Sequence, residues 1–144
     1  MNLASTLSHL QTAKRGLRFA RNLPRLASFA RVNPATLVAE WAETQPHTTA
    51  LLFEEERWNW RQLNTEVNRW SNWLISRNVR PGEVMAILME NRPDYIFLAM
   101  ALNRIGAIAA LINTNLSGEA LRHSLKTSNA HHLFVDEVHR QTED

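Results

Sequence analysis

The apolar positions of this chain fall into two rhythms, and the changes of rhythm mark its elements. Leu3, Leu7, Leu10, Ala13, Leu17 and Ala20 recur at three- and four-residue steps, which describes one face of a helix. Phe19, Leu23 and Leu26 widen that face. Lys14, Arg18, Arg21 and Arg25 form a parallel stripe about 100° away, the angle one residue subtends on a helix. Pro24 kinks or ends this first helix, because it lacks an N–H and clashes with the preceding turn.

From residue 33 the pattern is denser. Asn33 can cap a helix, and Pro34 fits its first position, where no N–H is needed. That helix runs through Leu37, Val38 and Trp41 to about Thr44, and Pro46 closes it. Residues 49–53, TALLF, read as a strand. Glu54, Glu55 and Glu56 form a charged turn, and residues 57–59 return as a short second strand. Asn59 followed by Gln62 is a capping-box-like start. Trp60, Leu63, Val67, Trp70 and Leu74 then line the core face of a helix. Pro81-Gly82 is a turn, and 84–89 is a nearly all-apolar strand, as a parallel sheet covered on both faces requires. Pro93 starts a helix whose segment 95–102 is apolar on every side, so deep burial is expected. Gly106 stops it. Residues 107–112 read as another buried strand, Ser117 as the cap of a helix through about Thr127, and 133–135 as the start of a third strand. The alternation predicts an α/β fold with right-handed crossovers between parallel strands.

Charge changes the picture at the N-terminus. Residues 1–31 carry Lys14, Arg15, Arg18, Arg21, Arg25 and Arg31 with no Asp or Glu, whereas the remainder carries ten basic and fourteen acidic residues. The formal net charge of +2 therefore conceals a basic tail on a mildly acidic body. An apolar stripe flanked by Arg suits a helix lying in a membrane interface, with its aliphatic stems buried and its charged heads at phosphate level. It does not suit a spanning helix, which needs about 20 mostly apolar residues. Three readings compete: packing on the chain's own body, a mitochondrial transit peptide and a nucleic-acid arm. The Arg-rich, acid-free composition fits a transit peptide but brings no cleavage signal. No base-reading or stacking module follows to support a nucleic-acid arm. The absence of cysteine excludes disulfides and Cys-based zinc sites.

Candidate chemistry is sparse. Gly16, Gly82, Gly106 and Gly118 are the only glycines, and no two stand close enough for a phosphate-cradling loop. Lys14 and Lys126, the only lysines, do not follow a Gly-rich turn, so no ATP site is expected within this chain. His131 and His132 are adjacent and point to opposite faces of a strand. His123 lies on an amphipathic helix, as a packed or capping side chain. No HExxH spacing and no GxSxG or Ser/His/Asp arrangement is present. No catalytic residue and no metal ligand is therefore predicted. The row Glu54 to Glu56 is a solvated tip, since a metal needs converging ligands. All five Trp lie between Trp41 and Trp73; they can bind a ring or an acyl chain, but core and hairpin packing is the simpler account. Arg104 stands just before the stop at Gly106. A cation there can hold a cofactor phosphate, or simply favour the negative helix end by about 0.3–1 kcal/mol.

From Trp58 onward the chain resembles the N-terminal subdomain of adenylate-forming enzymes. WNWRQLNTEVNRWSNWL is similar to that superfamily's opening WTYxEL…N segment, with Asn59 where Thr usually caps. VRPGEVMAILMENRPDYIFLAMALNRIGAIAALINTNLSGEALRHSL resembles the fatty-acid-transport-protein branch, the long- and very-long-chain acyl-CoA synthetases. Asn113-Thr114-Asn115-Leu116 separates that branch from relatives that usually have Asn-Pro there. The resemblance covers roughly residues 33–136. It implies a partial N-terminal subdomain of the adenylate-forming fold, a parallel sheet with flanking helices. It also implies an enzyme that activates a fatty acid with ATP and Mg²⁺ to an acyl-adenylate, then passes the acyl group to coenzyme A. The family's catalytic motifs lie in later segments without a counterpart here, so no catalytic residue is carried over. Arg104 is kept as a contact for a coenzyme A phosphate.

A basic, apolar segment ahead of the domain is typical of that branch and favours the membrane reading. The chain is accordingly divided into a membrane-surface segment, 1–31, and an incomplete AMP-binding-enzyme subdomain, 32–144. Lys14, Arg15, Arg18, Arg21 and Arg25, with Leu17, Phe19 and Leu23, are the expected membrane contacts. The expected product is the N-terminal piece of a long-chain fatty acid–CoA ligase from a truncated or split gene, inactive alone. It is placed in the cytoplasm, peripheral at the inner face of the membrane, with mitochondrial targeting as the alternative. Expected partners are an anionic membrane surface, a long-chain fatty acid, and either the missing C-terminal part or a second copy, but no nucleic acid. The alternative function is a non-enzymatic, membrane-associated module that binds acyl chains or a partner. An unpaired edge near 133–136 predicts marginal stability or self-association.

Overall fold

The computed structural model describes residues 33–140. They belong to the second of two units, Asn33–Asp144. The expected basic helix, with every expected membrane contact from Lys14 to Arg25, lies outside the described residues.

Local capping sets the first elements. Helix α1, Pro34–Thr44, starts at Asn33, whose Oδ1 accepts from Thr36 N at 2.8 Å while Thr36 Oγ1 accepts from Asn33 N at 3.1 Å. This reciprocal pair satisfies two donors that a helix start leaves open. Strands β1, Thr49–Phe53, and β2, Glu56–Asn59, form an antiparallel hairpin. Glu56 thus belongs to a strand and not to the turn. Helix α2, Trp60–Ser76, opens on a second box, in which Asn59 and Gln62 each accept from the other's backbone N at 2.9 Å. It buries Leu63, Val67, Ser71 and Leu74, a helical stripe at three- and four-residue steps.

The remaining elements alternate. Strand β3, Val84–Leu88, leads through helix α3, Pro93–Arg104, to strand β4, Ile108–Leu111. Helix α4, Gly118–Ser128, then leads to strand β5, His132–Val135. The sheet is parallel in the order β4-β3-β5, with Val84 opposite Ile108 and Met85 opposite His132. The expected α/β sheet with flanking helices is present. Side chains alternate across β3: Met85 and Ile87 face a core shared with α1, α2 and α3, whereas Ala86 and Leu88 face α4 through Leu121. Val67, Leu74, Leu98 and Leu102 are completely enclosed in the first core. Burying each contributes on the order of 1.5–3 kcal/mol.

Three expectations are corrected. The segment 95–102 is not buried on every side. Phe97, Leu98, Ala101 and Leu102 are buried, but Tyr95, Ile96, Ala99 and Met100 are only half-buried, because the sheet and α2 take up one face of α3. The strand at 107–112 is buried only in part: Ala107 and Ile112 at its ends are buried, and Ala109 and Ala110 are half-buried. As β4 it is an edge, and Ile108 and Leu111 are 52% and 55% exposed. Ser117 occupies the N-cap of α4, but its side chain makes no capping bond.

Gly106 ends α3 at a φ of +78°, and its carbonyl accepts from Gly82 N at 2.8 Å. A Cβ there would sit 3.4 Å from Pro81 Cβ, an ordinary contact, so the cost of Gly106→Ala is conformational. We expect a loss of about 1–2 kcal/mol, read from a urea melt. Gly82→Ala separates strain from crowding, since Gly82 has a φ of +84° and nothing within 4 Å. A similar loss there identifies backbone strain as the cause.

Candidate functional site

Arg104 is the sequence-predicted site residue that the structure describes. It stands in the last turn of α3. Its Nη2 donates to the Ala35 carbonyl of α1 at 2.9 Å, and its Nη1 donates to Asn68 Oδ1 of α2. The side chain thus ties three helices together. Burial lowers its pKa from the usual arginine value, yet a guanidinium stays charged in proteins.

Arg104 also lines a groove of about 720 Å³ with Asn68, Ser71, Asn72, Ile75 and Arg80. Ser71, Asn72 and Ile75 come from α2, and Arg80 from the turn before β3. No carboxylate lines the groove. Among the described residues neither Arg80 nor Arg104 is in an ion pair. Glu83, the nearest acid in sequence to Arg80, folds back onto the Arg80 backbone. Its Oε2 accepts from Arg80 N at 2.8 Å and lies 3.1 Å from His132 Nε2. Those hydrogen bonds, the Arg80 amide first, hold its carboxyl below the ordinary value.

A second polar cluster stands at the opposite end of the sheet, where β3 and β5 finish. Asp136 is buried, and its Oδ2 accepts from Glu90 N at 3.1 Å. Its Oδ1 accepts from His139 N at 3.0 Å and is 2.6 Å from His139 Nδ1. His139 Nε2 lies 3.2 Å from Glu90 Oε1. Burial alone would raise the Asp136 pKa, but the amide of Glu90 and the ring and amide of His139 outweigh it and hold the carboxyl low. These bonds lock the loop after β3 to the turn after β5, a structural role.

The remaining candidates resolve into packing. Trp41 packs on Trp60 with centroids 4.5 Å apart and the rings tilted by 57°, and Trp58 meets Phe97 edge-on at 5.8 Å. Trp70 and Trp73 each meet Phe134 of β5 edge-on, at 5.6 and 6.0 Å. Glu54, Glu55 and Glu56 are exposed at the hairpin tip. His123 is exposed, 3.5 Å from Thr127 Oγ1, and so is neither the packed nor the capping side chain expected. Among the described residues no group of three His, Cys, Asp or Glu converges as a metal site. Sequence reasoning singled out Arg104 but missed Asn68, Ser71, Asn72 and Arg80. No local signal marks them, since Asn68 is 36 residues from Arg104 and meets it only through helix packing.

Residues 38–144 match the family described as AMP-binding enzyme. The chain belongs to this family. Among its relatives are long-chain fatty acid transport protein 1 of Rattus norvegicus and the medium/long-chain-fatty-acid–CoA ligase FadD6 of Mycobacterium tuberculosis. The first is 36% identical over 65% of this chain and 15% of its own length; the second is 34% identical over 60% and 14%. The structure resembles O-succinylbenzoate coenzyme A synthetase of Bacillus subtilis, solved in complex with AMP, with a TM-score of 0.69 and 27% identity over 72% of this chain and 27% of that one. The AMP-binding family chain therefore carries the N-terminal part of the adenylate-forming fold. Its relatives include both fatty acid transport proteins and acyl-CoA ligases, as the phrases at 58–74 and 79–125 imply.

Proposed function

We propose that this chain supplies the N-terminal part of a long-chain fatty acid–CoA ligase, the part that builds the first strands of the nucleotide-binding domain without bringing the reacting groups. The observation that carries this reading is the 34–36% identity to proteins named for long-chain fatty acid transport and medium/long-chain fatty acid ligation. ATP, Mg²⁺ and coenzyme A belong to the complete enzyme. The segment 1–31 holds the protein peripherally at the cytoplasmic face of an anionic membrane, a reading supported by its six basic residues and lack of acids. Among the described residues no helix is long and apolar enough to cross a membrane.

Two measurements test this. The purified chain, given ATP, palmitate and Mg²⁺, should release no pyrophosphate above a protein-free control; robust release overturns the claim of inactivity. In liposome flotation the chain should float with anionic vesicles and stay down with neutral ones. Changing Arg15, Arg18, Arg21 and Arg25 to Gln should abolish flotation, and equal flotation with both vesicle types overturns the electrostatic reading.

A further inference from the structure

We propose that the open edge of β5, with the aromatic cavity beside it, is a docking site for an extended segment of another polypeptide, apolar at its centre and acidic at its flanks. In the order β4-β3-β5, β5 has a neighbour on one side only among the described residues. The outer side of such a strand presents backbone N–H and C=O groups that a further strand can pair. Leu133 is 39% exposed on it, and Phe134 is half-buried. No Lys or Pro stands within His132–Val135, although these residues commonly guard an open edge.

Side chains beside that edge form a pocket. Arg69, Trp70 and Trp73 of α2 line a cavity of about 300 Å³ with Phe134 of β5. Trp70 and Trp73 meet edge-on at 5.6 Å and are both half-buried, so the rings pack on one another and still face solvent. Trp70 Nε1 is buried without an acceptor among the described residues, whereas buried donors are ordinarily paired. The cluster thus lacks both an apolar cover and a hydrogen-bond acceptor. A strand laid along β5 supplies both, since every second side chain points toward α2 and its backbone carries carbonyls.

Charge selects the occupant. The Arg69 guanidinium lies 5.7 Å from the Trp70 ring centre, and that of Arg77 lies 5.4 Å from the Trp73 ring centre. Arg69 is paired with Glu66 at 2.7 Å, but Arg77 is in no ion pair among the described residues. No carboxylate lines the cavity. The rim is therefore positive and complements carboxylates on either side of an apolar side chain. A second copy of this chain is disfavoured, because two-fold pairing of β5 with itself sets one arginine rim against the other. Docking here is independent of the reaction proposed above.

The experiment titrates two synthetic peptides into the full chain and follows backbone and Trp indole resonances by NMR. One is acetyl-Glu-Glu-Val-Leu-Val-Glu-Glu-amide; the other has Lys in place of every Glu. The acidic peptide should give saturable shifts at Trp70, Trp73 and residues 132–135, and the Lys peptide should give none. Arg77→Glu, at an exposed position, should weaken binding roughly tenfold, since it removes an attraction and adds a repulsion. Arg122→Gln, on α4, should change nothing. Methylating the peptide N–H of the central Leu, or of a neighbouring Val, separates strand pairing from simple apolar contact. Only every second residue of an added strand bonds to its neighbour, so one methylation should abolish binding and the other should spare it. Equal binding of the two methylated peptides overturns the proposal, as does equal binding of the acidic and Lys peptides. Shifts confined to residues 1–31 overturn it too. Concentration-dependent shifts at 132–135 without any peptide assign the edge to a second copy and also overturn it.

Discussion

Replacing Leu98 by Ala should lower the unfolding free energy by about 2–5 kcal/mol, the range for a large-to-small change in a closed core. Leu98 is fully enclosed and belongs to the cluster that joins Val67 and Leu74 of α2 to Ile87 of β3. Removing its branched end strands contacts with both the helix layer and the sheet at once. The loss combines the transfer term with a cavity that neighbours on a helix and a sheet cannot easily collapse. A domain of this kind is stabilised by only about 5–15 kcal/mol, so the variant should show a clearly lower urea midpoint. Leu52→Ala is the control: Leu52 is 59% exposed on β1, and its loss should cost no more than about 0.5 kcal/mol. Equal effects of the two changes would contradict the packing described above.

The contrast between Leu98 and its neighbours shows how much of the fold the sequence carries. Periodicity marks α2 and α3 as helices, and both capping boxes are written in adjacent residues, Asn33 with Thr36 and Asn59 with Gln62. Local geometry alone determines those features, so they are legible. Sheet order is not local. Residues 107–112 and 84–89 read alike as apolar strands, but β3 is flanked on both sides while β4 is flanked on one, and Ile108 and Leu111 of that edge strand are exposed. The all-round apolar surface of α3 likewise states what the helix tolerates, not which face this chain covers. The groove was legible through one residue. Arg104 stands out because it ends an apolar helix, whereas Arg80 and Asn72 look like ordinary surface positions until packing places them beside it. The Asp136 cluster gave no signal, since its partner Glu90 N is 46 residues away.

That cluster yields the second large effect. Asp136→Ala removes the acceptor of the Glu90 amide at 3.1 Å and of the His139 amide at 3.0 Å, and the partner of His139 Nδ1 at 2.6 Å. Leaving such donors unpaired in a buried place should cost about 1–3 kcal/mol. Its pH dependence follows from the direction of the pKa shift. The carboxyl is held lower in the folded protein than in the unfolded chain, where it titrates near about 3.9. Its ionised form therefore contributes stability that is fully present above that unfolded value. The contribution is lost as the pH falls through the depressed folded value. Asp136→Asn keeps the shape and one acceptor oxygen but cannot ionise. The difference in stability between wild type and Asp136→Asn, read from urea melts, should shrink below about pH 4. Other carboxylates, Glu83 among them, titrate in the same region, but they are common to both proteins and cancel in the difference. A difference that stays constant through the acid range would show that the lock between the β3 and β5 loops does not depend on the charge of Asp136.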